Sequence, residues 1–233
     1  MSSVNIKLNW CSHQAAEFAC KFYHYSKCMP SPPTVRIGVW ENNKFIGVII
    51  FSRGASSNIG KPFKLNQNEI VELTRIALKS HQTPVTKFLS IAIKMLKKHS
   101  PGIKLIVSYA DPNQGHLGKI YQASNWIYTG QTVKTTLYFD KTGKKFHSRQ
   151  VSEKGFNKQY GERRTCPKPS QLRHVRQLGK HKYLYPLDNL VKSSILKYKK
   201  EYPKCELSLT AEQSSLQKKS EGSTPISSHQ IIQ

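Results

Sequence analysis

The residues best equipped for chemistry lie between Ser108 and Gly130, in SYADPNQGHLGKIYQASNWIYTG, where Asp111, Asn113, His116, Tyr121 and Trp126 crowd one short stretch. A carboxylate, an imidazole and a phenol together can accept, hold and return a proton, and aromatic rings can grip a flat ligand. A second group, His24, Tyr25 and Ser26 in FYHYSKCMP, offers the same functional groups. Asp111 and Tyr121 are the first candidates for proton handling. His24 and Tyr25 come next, with Ser26 to orient a base. Each has a plainer use, Asp111 as a helix cap and the rings as core. His24, Asp111 and His116 also make up a two-histidine, one-carboxylate set of the kind that holds iron, if their loops converge.

The elements that must position these groups are legible from periodicity. The apolar run at 103–109 is a strand that Asp-Pro-Asn ends before a short helix through Ile120 and Tyr121, so the polar side chains gather at a strand's C-terminal end. Ligands commonly sit at such ends in α/β folds. A helix is expected over 11–25 behind a Ser12 cap, ended by the prolines at 30, 32 and 33. Strands at 35–40 and 45–51 flank Glu41-Asn42-Asn43-Lys44 as a hairpin, and 70–78 (IVELTRIAL) is a further buried strand. Thr83 and Pro84 open a helix to about His99, whose apolar face is Val85, Phe88, Leu89, Ala92 and Leu96. Strand, helix and strand make a right-handed parallel crossover, and the expected order is β-β-β-α-β-α-β, with further strands at 131–140 and 146–151. The first turn of the crossover helix, with Lys79, His81, Thr83 and Thr86 around it, suits a nucleotide pyrophosphate, because its amides lack helical partners and the helix dipole favours an anion.

Charge points to a polyanionic partner. The 233 residues carry 37 Lys+Arg against 13 Asp+Glu, a formal net charge of +24. Residues 141–200 hold 17 of the cations and only 3 acids, interleaved with Phe146, His147, Phe156, Tyr160, His174, His181, Tyr183 and Tyr185. A merely solubilising tail needs no such rings, whereas nucleic-acid binding uses both features. The expected organisation is a catalytic domain over 1–152, a basic aromatic extension over 153–202 and a disordered tail over 203–233. Arg149, Lys158, Arg163, Arg164, Arg173, Arg176, Lys180 and Lys182 are the candidate DNA contacts. No apolar run is long enough to span a bilayer and the N-terminus lacks a signal-peptide core, so cytoplasmic residence is expected. The five cysteines are scattered, which argues for buried or idle thiols rather than a disulfide framework.

The strand-helix-strand core followed by Tyr121-x-x-x-Asn125-Trp126 resembles the GNAT acetyltransferase superfamily, an α/β fold with a mixed sheet. KSHQTPV stands where that superfamily has its glycine-containing loop. The stretches FYHYSKCMP, GVWENNKFIGVIIFSRGA, ELTRIAL, TPVTKFLSIAIKMLKK and SYADPNQGHLGKIYQASNWIYTG together resemble the Mom DNA-modification family of Mu-like phages, over most of residues 5–190.

That resemblance implies a GNAT-like enzyme that converts the N6 amino group of adenine in phage DNA to a carbamoylmethylated form and so shields the genome from host restriction. It implies acetyl-coenzyme A as cofactor, held along Ile76, Ala77, Leu78, His81, Thr83, Val85, Thr86 and Asn113, and Tyr121 as donor to the leaving thiolate. Double-stranded DNA is the implied partner and the cytoplasm of the infected bacterium the implied location. The oligomeric state is left open, a homodimer included. Adenine N6 is a weak nucleophile stacked inside the duplex, so such an enzyme must flip the base, position it and remove a proton. Tyr25, Tyr109, Tyr121 and Trp126 are the expected pocket walls. Two other readings compete: an N-acetyltransferase acting on a protein or small amine, and a basic DNA-binding protein without catalysis.

Overall fold

Alternation of apolar residues builds a seven-stranded mixed sheet in the computed structural model, which describes residues 4–31, 34–54, 56–159 and 161–204. The chain runs β1 (Ile6–Trp10), α1 (His13–Tyr23), β2 (Thr34–Glu41), β3 (Lys44–Ser52), β4 (Ile70–Leu78), α2 (Val85–His99), β5 (Leu105–Ala110), α3 (Lys119–Gln122) and β6 (Ile127–Gln131). It continues through β7 (Thr135–Phe139), β8 (Lys145–His147), β9 (Phe156–Gln159), β10 (Glu162–Thr165), β11 (Arg173–Gln177), β12 (His181–Pro186) and α4 (Asn189–Ile195). The main sheet is ordered β1-β2-β3-β4-β5-β12-β6, and only β4 and β5 are parallel, as the helical crossover between them requires. Residues 1–201 form one unit, and of 202–233 only 202–204 are described.

Local chemistry explains the elements. The Ser12 hydroxyl accepts the Ala15 amide and starts α1, which ends at Tyr23, two residues earlier than expected, because His24 is already extended. Asn42 and Asn43 take φ of 49° and 61°, the left-handed pair that a two-residue hairpin demands. Phe88, Leu89, Ala92, Ile93 and Leu96 of α2 lie in one core with Ile49, Phe51, Leu73 and Ile106. On the sheet's other face, Ala16, Ala19 and Cys20 of α1 pack on Val48, Ile50 and Ala77.

Several expectations are corrected. An unanticipated edge strand, β1, precedes α1. The helix after β4 is capped by Pro84 without a side-chain bond, and Thr83 is buried ahead of it. The single strand expected at 131–140 is two, β6 and β7, in different sheets, and 146–151 is β8 followed by a 3-10 turn at Ser148–Gln150. Residues 153–202 are not simply an extension: β12 sits between β5 and β6, so His181 and Tyr183 are buried sheet residues and Tyr185 packs on the core instead of stacking on a partner. Residues 132–180 therefore leave the sheet after β6 and rejoin it at β12, forming a β11-β7-β8 sheet and a β9-β10 hairpin on the way. The expected tail beyond 204, with Cys205, and Pro32, Pro33 and Tyr160 lie outside the described residues. Among the described residues, no helix is long and apolar enough to cross a membrane.

Candidate active site

Strands β4 and β5 pair only from Ile70↔Leu105 to Leu73↔Ser108. At Thr74 a bulge interrupts the β3–β4 ladder, and beyond it β4 and β5 part, leaving that edge of β4 without a ladder partner on the β5 side. A cavity of about 590 Å³ opens at this split. It is lined from one face by His24, Tyr25, Arg75 and Tyr109 and from the other by Leu73, Val85, Ile120 and Tyr121, with Asp111, His116 and Lys119 at its end.

Four of the five expected catalytic residues thus meet. Ser26 does not line the cavity but holds His24: its amide donates to His24 Nδ1 at 3.1 Å and its hydroxyl lies 2.8 Å from the same nitrogen. An Nδ1 that accepts an amide proton is unprotonated, so the neutral ring carries its proton on Nε2. Burial first, then Arg75 and His116, push the imidazole down to about 4, which keeps it neutral near pH 7. His24 is accordingly a donor through Nε2.

Tyr25 is half-exposed, its ring 4.3 Å from that of His24 and 5.6 Å from that of His116, at tilts of 31° and 30°. The three rings form a loose stack along the cavity. Tyr25 therefore separates the two histidines, and His24, Asp111 and His116 do not fit a shared iron ion. Among the described residues, no group of three or more histidine, cysteine or acidic side chains is placed to hold a metal.

Tyr121 closes the cavity floor. Its hydroxyl is 2.7 Å from Ser108 Oγ, which is 2.9 Å from the Leu73 carbonyl. A carbonyl only accepts, so Ser108 donates its single proton to Leu73 and Tyr121 donates to Ser108. Burial pushes the Tyr121 phenol up to about 12 and Tyr109 likewise to about 12. Trp126 is fully buried against Tyr121 and Tyr185, a support for the floor rather than a wall. Gly118, at φ 76°, opens α3 where a Cβ would stand 2.4 Å from the Tyr183 ring, so only glycine lets the turn close over β12.

Asp111 Oδ1 accepts from the Asn113 amide at 3.0 Å and from Asn113 Nδ2 at 2.8 Å, and Lys180 Nζ lies 3.8 Å from Oδ2. Asn113 also spans to the inserted segment, its Oδ1 accepting from Leu178 N at 3.2 Å and its Nδ2 donating to Leu178 O at 3.3 Å. Asn113 is thus a brace, not a cavity residue.

Of the expected cofactor residues, Ile76 and Val85 line the cavity; Ala77 is buried under α1. Leu78 pairs with Gly47, and His81 bonds the Lys79 carbonyl at 2.7 Å. The amides of Gln82 and Thr83 both donate to Glu41, leaving those of Val85 and Thr86 as the first-turn donors of α2. Arg75 was not anticipated, although it is the one cation in the apolar run of β4. It donates to the Cys28 and Thr74 carbonyls at 3.1 and 2.8 Å, tying the loop after α1 to the split strand. Cys11, Cys20, Cys28 and Cys166 are free thiols. Of the expected DNA contacts, Arg149, Lys158, Arg163, Arg164, Arg173, Arg176 and Lys180 are exposed. Lys182 is not: it sits half-buried in β12 over the Phe63 ring, and desolvation lowers its pKa.

A mixed sheet with one parallel pair that splits at a bulge, followed by a helix whose first turn faces the gap, is the arrangement of a GNAT-like fold. The chain belongs to the Mom protein family, whose model matches residues 5–204. It is 25% identical over 168 residues to the protein of Escherichia phage Mu named methylcarbamoylase mom, covering 67% of this chain and 69% of that one. Among solved structures, it is similar to a Bacillus subtilis acetyltransferase in complex with CoA, with a TM-score of 0.40 and 13% identity over 80% of this chain and all of that one. It is also similar to an aminoglycoside acetyltransferase in complex with coenzyme A, with a TM-score of 0.41 and 12% identity over 55% of this chain and 87% of that one.

Proposed function

We propose that the chain modifies the N6 amino group of adenine in double-stranded phage DNA to a carbamoylmethylated form, drawing on acetyl-coenzyme A and protecting the genome from host restriction. The observation that carries this reading is the cavity that runs through the β4–β5 split, with an aromatic stack on one side and a buried phenol on the other. The first-turn amides of Val85 and Thr86 would hold the phosphates of the acyl donor, and the edge of β4 left unpaired beyond Thr74 would take its pantetheine arm. Bound acetyl-coenzyme A would supply the two carbons: its thiol leaves as an ammonia-level nitrogen takes the carbonyl to form the carboxamide, and the bond from N6 to the methyl carbon releases two electrons that a separate oxidant accepts.

The chain's own groups act on the base and its protons. A flipped adenine stacks against Tyr25, and the His24 Nε2 proton is available to an acceptor nitrogen on the base edge. Asp111 takes the N6 proton; its Oδ1 is fixed by Asn113, and its Oδ2 lies 3.8 Å from Lys180 Nζ. Tyr121 lends its proton to Ser108 in the resting state and turns it to the departing thiolate, a donor that burial keeps fully protonated at neutral pH.

The test is mass spectrometry of nucleosides from cells expressing the chain. Adenosine carrying the added carbamoylmethyl mass is expected, with a strong reduction in Asp111→Ala. Unmodified adenosine in the presence of soluble wild-type protein would sink the proposal, and acetylated amines alongside untouched DNA would support a general N-acetyltransferase instead.

A further inference from the structure

The inserted segment 132–180 has a charge pattern that the sheet does not need. It carries 13 Lys+Arg and 3 acids, and the acids are all committed internally. Asp140 Oδ1 takes the amides of Thr142 and Lys144, each at 2.9 Å. Glu153 takes both the amide and the hydroxyl of Ser170 at 2.9 Å. Glu162 pairs with Arg164 at 3.5 Å. Lys158, Arg163, Arg173 and Arg176 remain exposed, with no carboxylate partner among the described residues.

The placement of these cations is costly without an anion. Lys158 and Arg163 are directly opposite each other across the β9–β10 hairpin, and like charges at such a cross-strand pair destabilise it. Arg163 nevertheless lies 3.6 Å above the Phe156 ring, Arg173 lies 4.8 Å from Phe139 and Lys144 lies 5.4 Å from Phe146. A cation resting on a ring has already given up side-chain freedom, so less is lost when it meets a phosphate.

We infer that residues 132–180 are a duplex-binding module, with the β9–β10 ribbon seated in a groove and the cations of β11 on the phosphate backbone. This rests on the reading of the site as DNA-modifying and names the surface that holds the DNA. A two-stranded ribbon fits the major groove of B-DNA, which is about 12 Å wide. The module is fastened to the catalytic turn. Asn113 grips Leu178 on both backbone groups, and Thr132 and Lys180 close its neck by Thr132 N to Lys180 O and Lys180 N to Thr132 Oγ1, both at 2.9 Å.

The test uses the full chain and a short labelled duplex, with Kd measured by fluorescence anisotropy from roughly 50 to 200 mM salt. The double variants Lys158→Gln with Arg163→Gln, and Arg173→Gln with Arg176→Gln, are expected to fold, the first unfolding no lower than the wild type because it relieves the Lys158–Arg163 repulsion. Each should flatten the salt slope by about 1 per lost phosphate contact and weaken binding by roughly tenfold. Lys97→Gln with Lys98→Gln, exposed on α2, should change neither. Wild-type Kd and slope in both module variants would overturn the inference, as would an equal loss in the α2 control, or binding to phosphatidylserine vesicles in place of DNA. These outcomes are read without modification chemistry, so the proposed reaction can fail while the module stands, and the reverse.

Discussion

The carboxylate of Glu41, at the end of β2, accepts the amide of Thr83 at 2.8 Å, and with it that of Gln82 at 2.9 Å. The loop before α2 is thus held from behind by a side chain, where a glycine-containing loop would be shaped by its own backbone freedom. Glu41→Ala should release this loop, lower the melting temperature and weaken coenzyme A binding by one to two orders of magnitude, about what a small misplacement of a positioning element costs. The Thr83 hydroxyl and the two amides hold the Glu41 carboxyl below its ordinary value of 4.5. Its stabilising contribution is therefore complete above that value and lost as the pH falls below it through the folded-state pKa. Melting temperatures of wild type and Glu41→Gln should converge in that acidic window, and a constant gap would count against the assignment.

Removing one oxygen from the cavity floor separates chemistry from packing. Tyr121→Phe keeps the contacts to Trp126 and Tyr183, and Ser108 keeps its bond to Leu73, so unfolding should shift little. Modification should fall by about 10²- to 10⁴-fold, the range for a lost general acid. Because the phenol is pushed up to about 12, the wild-type pH–rate profile should show no break at the ordinary tyrosine value of 10.0. A break there that vanishes in the variant would show the hydroxyl titrating freely.

His24 sets a different pH dependence. Its folded pKa, about 4, is below the ordinary 6.5, so between these values the unfolded chain binds more protons than the folded one. His24 therefore makes the protein lose stability as pH falls from 6.5 toward 4. His24→Gln should flatten that part of the curve in thermal unfolding. It should also reduce modification of duplex DNA by raising KM more than it lowers kcat, if the ring binds a base edge.

Asn113 joins two regions 65 residues apart. Asn113→Ala should leave coenzyme A binding intact while raising KM for duplex DNA, roughly tenfold for a loss near 1.4 kcal/mol. Gly179→Ala gives an independent view of the same neck. A Cβ there would stand 1.8 Å from the Thr132 carbonyl oxygen, and backbone must move to admit it. Duplex modification should fall in this variant too; unaltered KM in both would mean the brace does not align DNA with the cavity.

Much of the scaffold was readable because its signals are local. The Asn42-Asn43 turn, the apolar face of α2 and the Asp-Pro break after β5 each specify a backbone without help from afar, and together they bring His24, Tyr25, Asp111 and Tyr121 to one cavity. The misses are long-range. β12 pairs on both sides, so HKYLYP is ordered by strands more than 40 residues earlier, and its flanking basic residues gave it the look of surface chain. Glu41 sat inside an expected hairpin turn, with nothing nearby to show that its partners would be 41 and 42 residues downstream. Asn113 was read as a ligand contact for the same reason. An amide side chain has many uses, and only the return of the chain at Leu178 selects among them.

The late return of β12 has a consequence for the birth of the protein. During synthesis β5 leaves the ribosome with one edge paired to β4 and the other open, and its next neighbour is not made until residues 181–186 emerge. All of residues 132–180 are synthesised in that interval, while the backbone groups on that edge of β5 have no strand to pair with. The basic segment is thus made before the main sheet can close, and any chain that stops at 152 leaves that edge of β5 without its strand partner.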